Sequence, residues 1–180
     1  MKKIEVVREK LLLEFKDTMD VLLQKLSAFD NDELNVVPKN DGWSAGQVGH
    51  HLLKSYSVIK TLNGNTVPTT RSPDEKINEI RETFQDFDIK MDSPTAVLPA
   101  EGTFEKEALI PSLQKRINHI EEVIQTKDLT VTCEDYAIPE YGKFTRLEWI
   151  NFVIYHTQRH FHQLDRLVES FTGSHRKPYG

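Results

Sequence analysis

A single cysteine, Cys133, stands in a chain of 180 residues. No intrachain disulfide can form, and a reducing, cytoplasmic home is expected. Long apolar runs are missing as well. The best candidate, Trp149 to Tyr155, is interrupted by Asn151 and falls far short of the roughly 20 residues that a membrane-spanning helix needs. The opening stretch MKKIEVVREKLLLEF has two lysines but no apolar block behind them, because Glu5, Arg8, Glu9 and Lys10 break it; no export signal is expected there. There is no dense basic block. Lys and Arg number 23 against 28 Asp and Glu, giving a formal charge of −5, so a nucleic-acid partner bound by phosphate neutralisation is not expected. No Gly-rich phosphate loop and no internal repeat is found. With 38% hydrophobic and 28% charged residues, 8 Gly and 8 Pro, collagen-like, low-complexity and wholly disordered classes are excluded. The length suits a single domain over residues 1–180.

What the chain does have is helical periodicity. Ile4, Val7, Leu11, Phe15, Met19, Leu22, Leu26 and Phe29 follow the three-to-four spacing of one buried stripe, which predicts a helix over ~3–29. Asn31 to Asp41 reads as a linker. Ser44 is an N-cap candidate for a second helix over ~45–62, which Asn63-Gly64 would end. Ser72-Pro73-Asp74-Glu75 looks like a helix start, and a short helix over ~73–86 is expected inside a long crossover. A further helix is predicted over ~104–126 around Leu109, Leu113, Ile117, Ile120 and Ile124, with Pro111 able to kink or delay its first turns. Leu129 to Cys133 is β-rich but has too few strand partners for a sheet. Thr145 and Glu148 have the spacing of a capping box, opening a last helix over ~146–171 that Gly173 should stop. Four long helices joined partly by a crossover predict an all-α four-helix bundle.

Seven histidines are present, and five fall into two tight groups: His50 and His51, then His156, His160 and His162. A helix turns about 100° per residue, so their directions follow. His51 lies in the arc of Val48, Leu52 and Ile59, whereas His50 faces away. His156 and His160 share the arc of Trp149, Val153, Leu164 and Leu167. His162 falls on the opposite side with Asn151, Gln158, Asp165 and Glu169. His119 is off the apolar stripe of its helix, and His175 is expected to face solvent. Burying an imidazole demands partners for its ring nitrogens. Two inward histidines one turn apart can meet at one point, and a third from another helix completes a set able to take zinc, nickel, copper or iron with a position left open.

The motifs form a recognisable set. Trp43-Ser44 followed by His51-Leu52, then Pro139-x-x-Gly142-x-x-Thr145-x-x-Glu148-Trp149, then His156-x-x-x-His160-x-x-Gln163-Leu164, resembles the signatures of the DinB/YfiT-like superfamily. The resemblance covers most of the chain except Asn65 to Gly102. It implies a four-helix bundle with a crossover and a divalent metal, zinc or nickel foremost, held by His51, His156 and His160. Characterised relatives include bacillithiol transferases and a mycothiol-dependent maleylpyruvate isomerase; the family name implies no DNA binding.

Other residues near the triad have competing readings. Gln163, three residues after His160, can orient a ligand or bond to nearby backbone. Gln47 and Ser55 lie one turn either side of His51 and are candidate substrate contacts. Trp43 is read as packing at a helix entry, and Glu148 as a cap rather than a base. Cys133 has no helix N-terminus or adjacent Lys or Arg to lower its pKa, so it is not expected to be a nucleophile. The acid-rich runs Asp30 to Glu33 and Asp74 to Glu82 read as solvated surface.

The leading functional expectation is a metal-dependent transferase that adds a low-molecular-weight thiol cosubstrate to a small electrophilic substrate, the thiol being activated in the open metal position. The alternatives are a hydrolase with a metal-activated water and a non-catalytic metal-binding, stress-related dimer. A homodimer is expected from the resemblance and from Leu53 and Ile154, which lie off the main apolar stripes of their helices.

Overall fold

Apolar residues at helical spacing determine most of the architecture. The computed structural model describes residues 2–39 and 42–174, with the side chains of 5–39 and 42–171, and it is mostly helical. The expected His175 surface position and the side chain of Ile4 lie outside those residues. Helix α1 (Lys2–Ser27) buries Leu11, Phe15, Met19, Leu22 and Leu26. Val7, expected in the same stripe, is 41% exposed. Helix α6 (Lys106–Thr126) ends beside this turn, where the Arg8 guanidinium takes the Ile124 and Lys127 carbonyls, so α6 does not continue to cover Val7.

A short helix α2 (Asn31–Leu34) occupies part of the expected linker. The Asp30 carboxylate accepts the Glu33 N–H at 2.8 Å and Glu33 accepts the Asp30 N–H at 3.1 Å. Asp30 and Asp32 are exposed, as expected, and Asp30 and Glu33 together form a capping box. Helix α3 (Ala45–Ser55) is capped by Ser44 as expected, then passes through a tighter 3-10 turn at Tyr56–Val58 into helix α4 (Ile59–Leu62). Helices α6 and α7 (Arg146–Ser174) each pack against both α1 and α3, which closes a four-helix bundle. Pro111 sits exposed inside α6 without ending it. Helix α7 runs through Gly173, because a glycine permits a left-handed cap but does not impose one.

Three further expectations change in the crossover. A partner exists for the β-rich stretch: β1 (Thr66–Val67) pairs antiparallel with β2 (Thr132–Cys133). Helix α5 (Ile77–Gln85) starts later than Pro73, because the Ser72 hydroxyl goes to the Asp74 carboxylate and the Lys76 N–H to Glu148 Oε1 at 2.9 Å. That helix packs on α7, and α1 packs along the side of α7 expected to be wet, where Gln158 meets Thr18 and Asp165 meets Lys25. Asn151 is 5% exposed and Ile154 fully buried, while Leu53 is half-buried. Ile154 is therefore core, and it offers no surface for self-association. No helix among the described residues is long and apolar enough to cross a membrane.

One ion pair ties these parts together. Glu148 is enclosed completely and accepts both Arg71 guanidinium nitrogens, at 2.5 and 2.6 Å, the Lys76 N–H and, at 2.9 Å, the Thr145 N–H. Thr145 returns the cap by accepting the Glu148 N–H at 3.1 Å. A buried carboxylate is tolerated only with such a set of donors. Replacing Arg71 with Met should therefore destabilise the fold by about 3 kcal/mol, because a buried charge loses its counter-ion. Urea unfolding measures this as a lowered midpoint at unchanged slope.

Candidate metal centre

The three inward histidines meet. His51 comes from α3, while His156 and His160 lie one turn apart on α7. His51 Nε2 is 3.0 Å from His156 Nε2, which is 3.2 Å from His160 Nε2. One ligand nitrogen from each lies within 4.8 Å of the other two. The angular phase read from the sequence thus places all three rings at one point, with His51 only 2% exposed. His162 is exposed, as expected for an outward ring, and lies tilted against Phe87 with ring centroids 4.0 Å apart.

The outer nitrogens decide what the inner ones can do. His51 Nδ1–H donates to the Val97 carbonyl at 2.8 Å, and His160 Nδ1–H donates to Gln163 Oε1 at 3.0 Å. A neutral imidazole carries one N–H. With that proton spent on Nδ1, the Nε2 atoms of His51 and His160 are bare lone pairs, and both face His156 Nε2. A single proton on His156 Nε2 can satisfy only one of them. A cation satisfies all three. Ligand nitrogens about 2.0–2.1 Å from a tetrahedral ion stand about 3.3 Å apart, close to the 3.0 and 3.2 Å observed. The triad is able to hold a divalent metal, with Val97 and Gln163 fixing the tautomers of its ligands.

Electrostatics keep the rings neutral. Burial pushes His51 below the ordinary imidazole range, against a smaller opposing pull from the Val97 carbonyl. Burial, then the neighbouring His160 and His51, hold His156 far down. His160 is lowered to about 4 by burial and by His51, with Gln163 opposing. Around the rings stand aromatic walls: Phe84 at 5.6 Å and Phe152 at 5.7 Å from His156, and Trp43 at 4.8 Å from His51. Trp43 also stacks at 14° over His160. It is a wall of the centre as well as a residue of the helix entry.

The other candidates separate clearly. Gln163 bonds to His160 and also lines a groove of about 560 Å³ shared with Trp43. Gln47 is used by the Ser44 cap, accepting the Ser44 N–H at 2.9 Å. The Ser55 hydroxyl donates to the His51 carbonyl at 2.9 Å. Both side chains bond within α3 and its cap. His50, expected to face solvent, is half-buried and accepts the Ala100 N–H at 3.0 Å. Lys54 holds the Leu98 carbonyl at 2.6 Å. The crossover segment carrying Val97 is thus clamped along α3. No sequence signal marks that carbonyl, because a backbone acceptor has no residue type. Cys133 is buried, and its thiol is pushed up to about 11 despite the opposing Arg146 charge.

A family model described as the DinB superfamily matches residues 14–164. Comparisons with curated proteins and with solved structures return no match.

Two outcomes are expected. His160→Ala should lose most bound metal and His162→Ala almost none, measured by elemental analysis after dialysis at fixed pH; equal loss would reject the centre. The second concerns acid. An unfolded chain protonates its histidines near pH 6.5, whereas the folded triad resists protonation down to about pH 4 at His160. Between those values the unfolded state binds more protons, so stability falls as pH falls. Thermal midpoints of the chelator-treated protein should drop through that window, and less steeply in His160→Ala than in His162→Ala.

Proposed function

The chain belongs to the DinB superfamily, and from that premise we propose that it is a divalent-metal-dependent transferase joining a low-molecular-weight thiol to a small electrophile. The observation that carries this reading is the convergence of three neutral imidazole Nε2 atoms beside a groove. His51, His156 and His160 would hold the metal, zinc or nickel by donor type. When bound, such an ion lowers the pKa of a thiol that it coordinates and so supplies a nucleophile at neutral pH.

The chain's own residues do the remaining work. Val97 and Gln163 keep the protons of His51 and His160 on the outer nitrogens. Phe84, Phe152 and Trp43 limit water around the rings. The groove beside Trp43 and Gln163 has room for a small substrate. Cys133 takes no part, since its buried thiol stays protonated at neutral pH. The metal-capable group among the described residues consists of three histidines and no fourth His, Cys, Asp or Glu. A three-ligand set favours an open, reactive position over a closed structural one. The lack of a carboxylate in that group favours the thiol route over hydrolysis, in which a carboxylate commonly takes a proton from water.

Incubating the metal-loaded protein with bacillithiol, mycothiol or cysteine and one general electrophile, 1-chloro-2,4-dinitrobenzene, tests this. Thioether formation is expected, lost on chelation and at least tenfold lower in His160→Ala, yet retained in Cys133→Ser. Conjugation unaffected by chelation, or absent with every thiol at full metal occupancy, would reject the transferase.

A further inference from the structure

The groove beside the triad has a charge character that the metal centre does not explain. Its walls are apolar: Val37 and Pro38 on the loop after α2, Leu167 and Phe171 on the last turns of α7, and Trp43 at the inner end. Two cations stand on this surface, Lys39 and Arg166, both exposed. Among the described residues neither makes an ion pair, and no carboxylate lines the groove. The chain as a whole carries −5, so two cations with no ion-pair partner among the described residues, on an apolar groove, run against its overall charge. The volume of about 560 Å³ lies within the range of small-molecule sites, roughly 300–1,000 Å³.

We propose that this groove binds an amphipathic organic anion, its acidic group on Lys39 and Arg166 and its apolar body between Trp43 and the Leu167 and Phe171 side chains. The assignment deepens the transferase reading by naming the substrate class. It rests on that reading only for the reacting end of the ligand, which Trp43 and Gln163 would place beside His51 and His160. The anion site itself needs no metal. Arg offers a planar fork for a carboxylate or phosphate, and Lys adds a second point charge. Aromatic and aliphatic walls supply the area that binds the body of such a ligand.

Titration calorimetry with 1-naphthoate and its neutral isostere 1-naphthamide tests the proposal on the full chain, both metal-loaded and chelator-treated. Saturable one-to-one binding of naphthoate is expected in both forms, about tenfold tighter than naphthamide, the preference weakening with added salt. In the double variant Lys39→Gln, Arg166→Gln the preference should vanish, while metal content and thermal midpoint stay as in the parent. Equal affinities for the two ligands in the parent, or an unchanged naphthoate preference in the double variant, would overturn the anion site. Naphthoate binding only to the metal-loaded form would also overturn it, since the carboxylate would then be on the metal. A failed conjugation assay alongside a positive titration would reject the transferase and leave the anion site standing.

Discussion

The enclosed carboxylate of Glu148 is the point on which the rest of the molecule is hung. Its donors come from two places far apart in sequence: Arg71 and Lys76 in the crossover, and Thr145 at the entry to α7. Satisfying one buried charge therefore sets where α7 begins, in which rotational phase, and where the crossover lands against it. Two turns on, the phase delivers His156, and a turn later His160. Between them Arg159 takes the Phe84, Asp86 and Ile89 carbonyls and closes the end of α5 onto α7. The crossover then reaches α3 with Val97 opposite His51. Ring orientation at the centre follows from polar anchors laid along one helix.

The parts legible in the sequence were those that repeat with the helix period. The bundle helices, the Ser44 and Thr145 caps and the directions of His51, His156 and His160 all follow from spacing alone. The rest depends on contacts between distant segments. A two-residue strand such as Thr66–Val67 has no alternation to read, and it exists only because Thr132–Cys133 lies alongside. The wheel of α7 assumes one wet face, but α1 packs along that side, meeting it at Gln158 and Asp165, and Asn151 and Ile154 are core. Asp30 and Glu33 did carry a readable signal, the three-residue interval of a capping box, under the ambiguous appearance of a charged surface run. Val97 acts through its carbonyl, and nothing in the identity of a valine announces it.

The centre trades stability for readiness. Three imidazoles held neutral, with their Nε2 atoms turned toward one another, leave lone pairs that no arrangement of one proton satisfies. Such a cluster weakens the metal-free fold in acid and gains from any cation it accepts, by mass action on the folded state alone. Preorganisation of this kind places the cost in folding, where Phe15, Tyr56, Phe144 and the long aliphatic core are available to offset it.

Cys133 illustrates a quieter property. It is fully buried in β2, its N–H bonded to the Phe144 carbonyl at 2.9 Å, next to the strand pair and just ahead of the α7 cap. Disulfide exchange needs a thiolate with access to its target, and this sulfur has neither in the folded state. A chain with that arrangement passes through a pool of disulfides without acquiring an adduct. Its one thiol becomes reactive only when the corner joining β1, β2 and α7 opens. The rate at which a disulfide reagent labels the protein thus clocks the local opening of that corner, an internal gauge of the segment that sets the phase of the histidine triad.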